Sequence, residues 1–235
     1  MMKNKTTNKP WTIGNASDRE YWDEKYENAM AFTKTRDNLN SILIEVAAQH
    51  PLINGYEPNV EFKERLNRGF ELFKQYNQMG YNVNIYVPGS KHVLNGVADS
   101  ISLSQSGTAF LNKLGISTKY LHGDDLNIKY KGNQGVYSSA DECFVASSYY
   151  KEGNFGKLIS VASPVQVMRK FLFYIEFGVF PFIYSVPVED MYHNLIGEIF
   201  EAIPYVLFID HNLQSKSSIH ANELRRQRNP DQTNY

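Results

Sequence analysis

The chain has 235 residues, with 24 Lys and Arg against 25 Asp and Glu, which gives a formal net charge of -1. This balance excludes a generally basic nucleic-acid-binding protein, and the aromatic content of 14% excludes a largely disordered chain. The single cysteine, Cys143, excludes an internal disulfide and a cysteine-cluster zinc site. No apolar run reaches the roughly 20 residues that span a bilayer, so we expect a soluble, cytoplasmic protein of one domain.

The first elements are a helix, a buried strand and a second helix. Residues 1–16 are polar and predict a flexible N-terminus. A capping box from Ser17 to Glu20 then predicts a helical segment over 17–40. The run over 42–47 is apolar and rich in β-branched residues, which is typical of a buried strand. Apolar residues at helical spacing predict the second helix, which ends near Gly80; they are Phe62, Leu66, Phe70 and Phe73.

The same alternation of strand and helix continues along the chain. In order, the sequence predicts a strand over 82–87, a helix over 103–114 that closes at Gly115, a weaker strand over 117–121, a helix over 139–150, a strand over 157–162, a helix from Ser163 to Gly178 and a strand over 179–186. A C-terminal extension over 187–235 contains a further predicted helix over 191–201, an apolar stretch over 204–209 and a basic tail. This pattern predicts a Rossmann-like three-layer αβα core over 41–186, with a mainly parallel sheet and extra helical segments at both ends.

Ligands of such sheets bind at the carboxyl ends of the strands, so the turns after the strands are the candidate sites. The strand over 82–87 is followed by Pro88, Gly89 and Ser90. A glycine lets a ligand approach the backbone, and a serine can bind an anion. An ordinary turn is the alternative, since no Walker or dinucleotide-binding spacing is present.

A second candidate is the helix start that follows the third predicted strand. Ser138 and Ser139 place two hydroxyls beside free backbone N–H groups, which is a favourable place for an anion. Asp141 and Glu142 lie in the first turn, where they could serve as a general base. Acidic residues at this position also stabilise the helix dipole, so capping alone remains a competing interpretation.

A third candidate follows the strand over 157–162. Ser163, Gln166 and Arg169 are three residues apart and share one helix face close to the strand end. A hydroxyl, an amide and a guanidinium suit a phosphate or carboxylate, because arginine binds such groups bidentately. Ser163 acting only as a helix cap is the alternative.

Other chemistries have little support in the sequence. The six histidines are scattered without a His-x3-His pair, so a zinc site is not predicted, and no Gly-x-Ser-x-Gly motif supports a serine hydrolase triad. Cys143 is interpreted as a small buried residue. The arginines over 225–228 are interpreted as a solvated helix end, and we expect neither a nucleic-acid partner nor a membrane span.

Over roughly residues 42–186, the order of these motifs resembles the ElyC/SanA/YdcF family of bacterial proteins. In both, the helix after the first strand carries Arg-Leu, here Arg65-Leu66, and the turn Pro88-Gly89-Ser90 is similar to the family's Ser-Gly-Gly turn. The helix end Leu114-Gly115-Ile116 and the helix start over 138–142, which is similar to the family's Asn-Thr-x-Glu-Asn, also correspond. In the family's motif Thr-Ser-x-x-His-x-x-Arg, Ser163 and Arg169 match the serine and the arginine. Gln166 replaces the family's histidine and cannot act as an acid or base. The family's Ser-Glu pair has no clear equivalent around Ser102 to Gln105.

The resemblance implies a Rossmann-like domain, a role linked to the cell envelope or polysaccharides, and a nucleotide-like ligand. Together with the residues, it gives two hypotheses. The first is a hydrolase or transferase of a phosphorylated small molecule, such as a nucleotide or sugar nucleotide, with Asp141 or Glu142 as general base or as ligand of Mg²⁺. The anionic group would be held by Arg65, Ser90, Ser139, Ser163 and Arg169, in a cleft also lined by Gly89, Ser138 and Gln166. The alternative is a non-catalytic protein that binds a nucleotide or S-adenosylmethionine in the same cleft.

Overall fold

The structure, a computed structural model, describes residues 16–37, 39–94, 97–123, 129–130, 133–136 and 139–187. Its main elements are α1 Ala16–Lys34, β1 Ser41–Val46, α2 Val60–Gln78, β2 Asn82–Tyr86, α3 Leu103–Lys113, β3 Leu121–His122, α4 Ser139–Glu152, β4 Lys157–Ala162, α5 Val167–Glu176 and β5 Phe182–Ser185. Two hairpins of two-residue strands join Val93–Leu94 to Val97–Ala98 and Lys129–Tyr130 to Asn133–Gln134. The predicted helix over 191–201, the stretch over 204–209, the basic tail and Ser138 lie outside the described residues.

The five strands β1 to β5 form one sheet in the order β3-β2-β1-β4-β5, and every neighbouring pair is parallel. This confirms the predicted α/β fold with a parallel, Rossmann-like sheet. The chain places β2 and β3 on one side of β1 and then crosses to place β4 and β5 on the other side. The strand order therefore reverses between β1 and β4, and a ligand of such a sheet binds where this reversal occurs.

Helices cover both faces of the sheet because the strands are apolar on both faces. On β1, Leu43 packs with residues of α1, α4 and α5, whereas Ile42 and Ile44 pack with residues of α2 and α3. Successive side chains of a strand point to opposite faces, so Glu45 faces α4 and α5 together with Leu43. Within the described residues, no helix has the length and apolar content needed to cross a membrane.

The third strand is shorter than predicted. Residues Thr118–Tyr120 form a 3₁₀ turn, in which the N–H of Tyr120 donates to the carbonyl oxygen of Ser117 at 3.0 Å. Only Leu121 and His122 pair with β2, opposite Ile85 and Tyr86. The predicted strand over 117–121 was therefore wrong in its bounds, because the local turn uses the backbone groups that a longer strand would pair.

The helix after β4 also differs from the prediction in its first turn. Pro164–Gln166 form a 3₁₀ turn, and α5 begins only at Val167. The helical spacing of Val167, Phe171, Tyr174 and Ile175 predicts that these four side chains are buried against the sheet. Tyr174 and Ile175 are buried, but Val167 and Phe171 are only partly buried, and Lys170 is fully buried. Arg169, which the same spacing places on another face, is partly exposed.

Because of His122, at the end of β3, the stability of the folded protein is expected to depend on pH. Burial lowers the pKa of His122 below its ordinary value of 6.5, and its Nε2 lies 2.8 Å from Oδ1 of Asn84. The unfolded chain therefore takes up a proton at a higher pH than the folded protein does. We expect the free energy of unfolding to fall as the pH drops below about 6.5. Urea unfolding at pH 7.5 and 5.5 measures how much the free energy of unfolding falls between these two pH values. The fall should be smaller in His122→Gln than in the wild type, and an equal fall in both proteins would contradict this prediction.

Candidate functional site

A cavity of about 100 Å³ lies at the carboxyl ends of β1, β2 and β4, where the strand order reverses. Each of its walls comes from a segment that follows one of these strands or from the start of α4. This is the place that the parallel topology predicts for a ligand. Its lining residues are Ala48, Gln49, His50, Gly89, His92, Leu103, Val136, Ser139, Glu142, Gln166 and Arg169.

Five of the residues singled out in the sequence line this cavity together. Gly89 follows β2, Ser139 and Glu142 belong to the first turn of α4, and Gln166 and Arg169 follow β4. Gly89 has a φ of +133°, and a Cβ atom there would lie 2.8 Å from Cβ of Leu103. Only glycine therefore lets the loop after β2 approach the start of α3 so closely.

Arg65 is buried and does not line the cavity. Its Nη1 donates to the carbonyl oxygens of Ala47 at 3.3 Å and Ala48 at 3.1 Å, and its Nη2 donates to Oε1 of Gln49 at 3.2 Å. Burial lowers the pKa of Arg65, while the charges of Glu142, Glu61 and Glu45 oppose that shift. With 1% of the side chain exposed, Arg65 holds the loop after β1 in place and does not reach a ligand in the cavity.

Ser90 and Ser163 also hold the loops that frame the cavity, and neither is among its lining residues. Oγ of Ser90 accepts from the N–H of Val136 at 2.8 Å, and the N–H of Ser90 donates to the carbonyl oxygen of Val136 at 3.1 Å. These bonds tie the turn after β2 to the segment before α4. The N–H of Ser163 donates to Oε1 of Gln166 at 3.4 Å, while the N–H of Gln166 donates to the carbonyl oxygen of Ser163 at 3.0 Å.

The two candidate bases lie in different environments. Asp141 is fully buried within the first turn of α4 and is not among the lining residues. Glu142 lines the cavity with 12% of its side chain exposed. Its Oε1 accepts from the N–H of Ala48 at 3.3 Å, which links α4 to the loop after β1. Of the two carboxylates, Glu142 is therefore the one that can contact a ligand there.

Beneath the cavity, Glu45, Glu142 and Lys170 form a cluster of buried charges, called here the buried ionic cluster. Nζ of Lys170 lies 2.9 Å from Oε1 of Glu45 and 2.9 Å from Oε2 of Glu142. Lys170 and Glu45 are fully buried. Isolated charges are very costly in such surroundings, and the short contacts between opposite charges offset that cost.

Two hydroxyls complete the contacts of Glu45. Oγ of Ser160 donates to Oε2 of Glu45 at 2.5 Å, and the hydroxyl of Tyr174 donates to the same oxygen at 3.1 Å. Ser160 lies directly opposite Glu45 in the pairing of β1 with β4. Burial raises the pKa of Glu45, although the charge of Lys170 opposes that shift. Burial alone would lower the pKa of Lys170, but the charges of Glu142 and Glu45 outweigh it and raise that pKa.

Two histidines at the cavity were not recognised in the sequence as a pair. The rings of His50 and His92 are stacked, with centroids 4.4 Å apart and an interplanar angle of 11°. His50 follows β1, and His92 follows β2, so only the parallel sheet brings them together. Across the part of the chain that the structure describes, no three His, Cys, Asp or Glu side chains form a group that could hold a metal ion.

Glu45 and Lys170 were also not predicted to lie near the site, although a feature of the sequence indicates each of them. Glu45 is the one charged residue in the apolar run over 42–47, and a charge in a buried strand needs a partner. Lys170 lies one helical turn before Tyr174, among the apolar residues of α5. That spacing places Lys170 on the same side of the helix as Tyr174, which is buried.

Cys143 is expected to be unreactive in the folded protein. It is fully buried, and burial raises the pKa of its thiol above the ordinary value. The thiolate is the reactive form, so both accessibility and ionisation disfavour alkylation. Treatment with iodoacetamide at pH 8 should leave the native protein unmodified and should modify it fully in 8 M urea. Rapid modification of the native protein would show that the packing of α4 against α5 is wrong.

In chemical terms, the cavity combines a cation, hydrogen-bonding side chains and a carboxylate. Arg169 can bind an anionic group, and the side chains of Gln49, Gln166 and Ser139 can orient it. Glu142 can accept a proton or contact a cationic group. No family model, curated protein or solved structure matches this chain.

Proposed function

We propose that the protein is an enzyme, a hydrolase or transferase, that acts on a phosphorylated small molecule such as a nucleotide or a sugar nucleotide. The observation that carries this proposal is that Arg169 and Glu142 line the same cavity of about 100 Å³ at the reversal of the strand order. Arg169 binds the phosphoryl group, and Glu142 acts as the general base toward the attacking hydroxyl or water. The volume suits one small anionic group, so the remainder of the substrate lies outside the cavity.

The resemblance to the ElyC/SanA/YdcF family adds support from the sequence. Arg169 stands at the family's arginine, in a helix that follows the fourth strand of the parallel sheet. The family's link to the cell envelope and polysaccharides favours sugar nucleotides among the substrates. Gln166 stands at the family's histidine and lines the cavity, where its amide can donate to an oxyanion without acting as an acid or base.

A non-catalytic protein that binds a nucleotide or S-adenosylmethionine is the second candidate. The observation that favours it is that both carboxylate oxygens of Glu142 already accept hydrogen bonds, from Lys170 and from the N–H of Ala48. A carboxylate held in this way can contact the ammonium group of S-adenosylmethionine while Arg169 contacts its carboxylate. A phosphate beside Glu142 would instead experience repulsion between like charges.

A thermal-shift screen with nucleotides, sugar nucleotides and S-adenosylmethionine, each with and without Mg²⁺, separates the candidates. A ligand that binds only the folded state stabilises it by RT ln(1 + [L]/Kd) and so raises the apparent Tm. The enzyme proposal predicts stabilisation by phosphorylated compounds, followed by product formation when the best of them is incubated with the protein. Stabilisation by S-adenosylmethionine alone, without turnover of any phosphorylated compound, would support the second candidate and contradict the first.

A further inference from the structure

The buried ionic cluster carries more negative charge than positive charge. It contains two carboxylates, Glu45 and Glu142, and one ammonium group, that of Lys170. Lys170 and Glu45 are fully buried, so neither can touch a ligand and neither is screened by mobile ions. Only Glu142 reaches the cavity. The charges of the other two residues can therefore act on a ligand only through the electric field.

The distances are short enough for that field to be large. Lys170 Nζ lies 2.9 Å from Glu142 Oε2, and Glu45 Oε1 contacts the same ammonium group at 2.9 Å. A charged group that contacts Glu142 from the cavity lies roughly 5–8 Å from Lys170. At that separation and an effective dielectric of about 20, one unit charge changes an affinity by roughly tenfold or more.

We propose that Lys170 and Glu45 set the electrostatic potential of the cavity and so determine how much negative charge its ligand can carry. The positive charge of Lys170 offsets the negative charge of Glu142 and holds its carboxylate in place. The negative charge of Glu45 offsets part of the charge of Lys170, so Glu142 is only partly neutralised. Both act as positioning residues through Glu142. This inference rests on the proposed function only in taking the cavity as the ligand site.

The contacts of Glu45 fit this role. Its two oxygens receive three donors, the ammonium group of Lys170 and the hydroxyls of Ser160 and Tyr174. These three donors fix the position of the carboxylate and thereby the position of Lys170. A cluster needed only to fill the core could be replaced by apolar residues of similar volume, since buried ion pairs seldom stabilise more than such packing does.

The first test measures the potential without assuming any ligand. A Ser139→Cys variant places a thiol on the cavity wall, and its alkylation by iodoacetamide is followed as a function of pH. Adding Glu45→Gln removes a negative charge and should move the midpoint of the alkylation rate to lower pH by about one unit. Adding Lys170→Met should move it to higher pH, and the Glu45→Gln/Lys170→Met pair should return it close to the starting value.

Controls separate the field from structural damage. Tyr174→Phe removes one hydrogen bond to Glu45 without changing any charge, so its midpoint should not move. The chain without the introduced cysteine reports any contribution from Cys143. The electric field should move the midpoint in opposite directions in Glu45→Gln and Lys170→Met, whereas structural damage gives no reason for such a reversal. Midpoint shifts in the same direction in both variants would therefore overturn the inference. Other charged or titratable side chains near the introduced thiol remain unchanged in all variants. They are His50, His92, Glu142 and Arg169 on the cavity wall, and the buried Arg65 and Asp141.

A second test uses inorganic phosphate and distinguishes this inference from the proposed function. Calorimetric titration at pH 8 should show tighter phosphate binding in Glu45→Gln and weaker binding in Lys170→Met, each by roughly tenfold. If the thiol midpoints move in opposite directions but no variant binds phosphate, the inference holds and the proposed function fails. If phosphate binds and the midpoints do not move, the inference fails alone. Should Lys170→Met not fold, Glu45→Gln decides both tests by its sign.

Discussion

Replacing Lys170 with methionine is expected to lower the free energy of unfolding by about 3–5 kcal/mol. The substitution keeps an unbranched side chain that is one atom shorter and removes the ammonium group. Two buried carboxylates, Glu45 and Glu142, would then lie close together without the cation that both contact at 2.9 Å. Equilibrium unfolding in urea, followed by circular dichroism, measures the loss.

A second substitution provides the matched control for this prediction. Adding Glu45→Gln to Lys170→Met removes one of the two uncompensated charges, so the double variant should be more stable than Lys170→Met alone. The two substitutions are in direct contact, and their effects should therefore not add. A loss below about 1 kcal/mol in Lys170→Met, typical of a surface ion pair, would show that the ammonium group is not buried as described.

Arg169→Ala is expected to weaken binding of a phosphorylated ligand by about 1.5–3 kcal/mol, the usual contribution of a hydrogen bond to a charged group. Arg169 lines the cavity and is partly exposed, so the free energy of unfolding should change far less than the affinity does. Isothermal titration of the wild type and the variant with the best ligand from the thermal-shift screen gives both affinities.

Met168→Ala is the natural control, because Met168 is the neighbouring residue on α5, is 46% exposed and does not line the cavity. Its affinity should equal that of the wild type. Arg169→Lys keeps the charge but loses the planar guanidinium, and an intermediate affinity would indicate bidentate contact with the phosphate. Equal affinities in the wild type and Arg169→Ala would exclude Arg169 from the site.

The sheet could be predicted well because its signals are local. The apolar runs over 42–47, 82–87 and 157–162 each gave a strand, and the helices between them required parallel pairing. The third strand was predicted too early because Thr118 and Tyr120 are residue types that favour strands, whereas the backbone forms a 3₁₀ turn there. The buried face of α5 was only partly predicted, because Lys170 is buried through its contacts with Glu45 and Glu142, which the spacing of apolar residues does not show.

The site was predicted less completely, for a physical reason. Sequence identifies hydroxyls and charges near strand ends, but it does not show whether those groups face the ligand or the backbone. The hydroxyl of Ser90 and the guanidinium of Arg65 satisfy backbone groups of the loops around the cavity. His50 and His92 lie far apart in the sequence and meet only because β1 and β2 are neighbours.

The measurement that tests the cavity most directly is an NMR titration of the ¹⁵N-labelled protein with adenosine 5′-monophosphate and, separately, with inorganic phosphate. If the cavity binds the phosphoryl group, both compounds should shift the backbone amide signals of residues that line it, namely 48–50, 89, 92, 136, 139, 142, 166 and 169. The signals of α1 and of β5 should stay in place as internal references. Saturable shifts confined to other parts of the chain, or no shifts at millimolar concentrations of either compound, would contradict the assignment of the site.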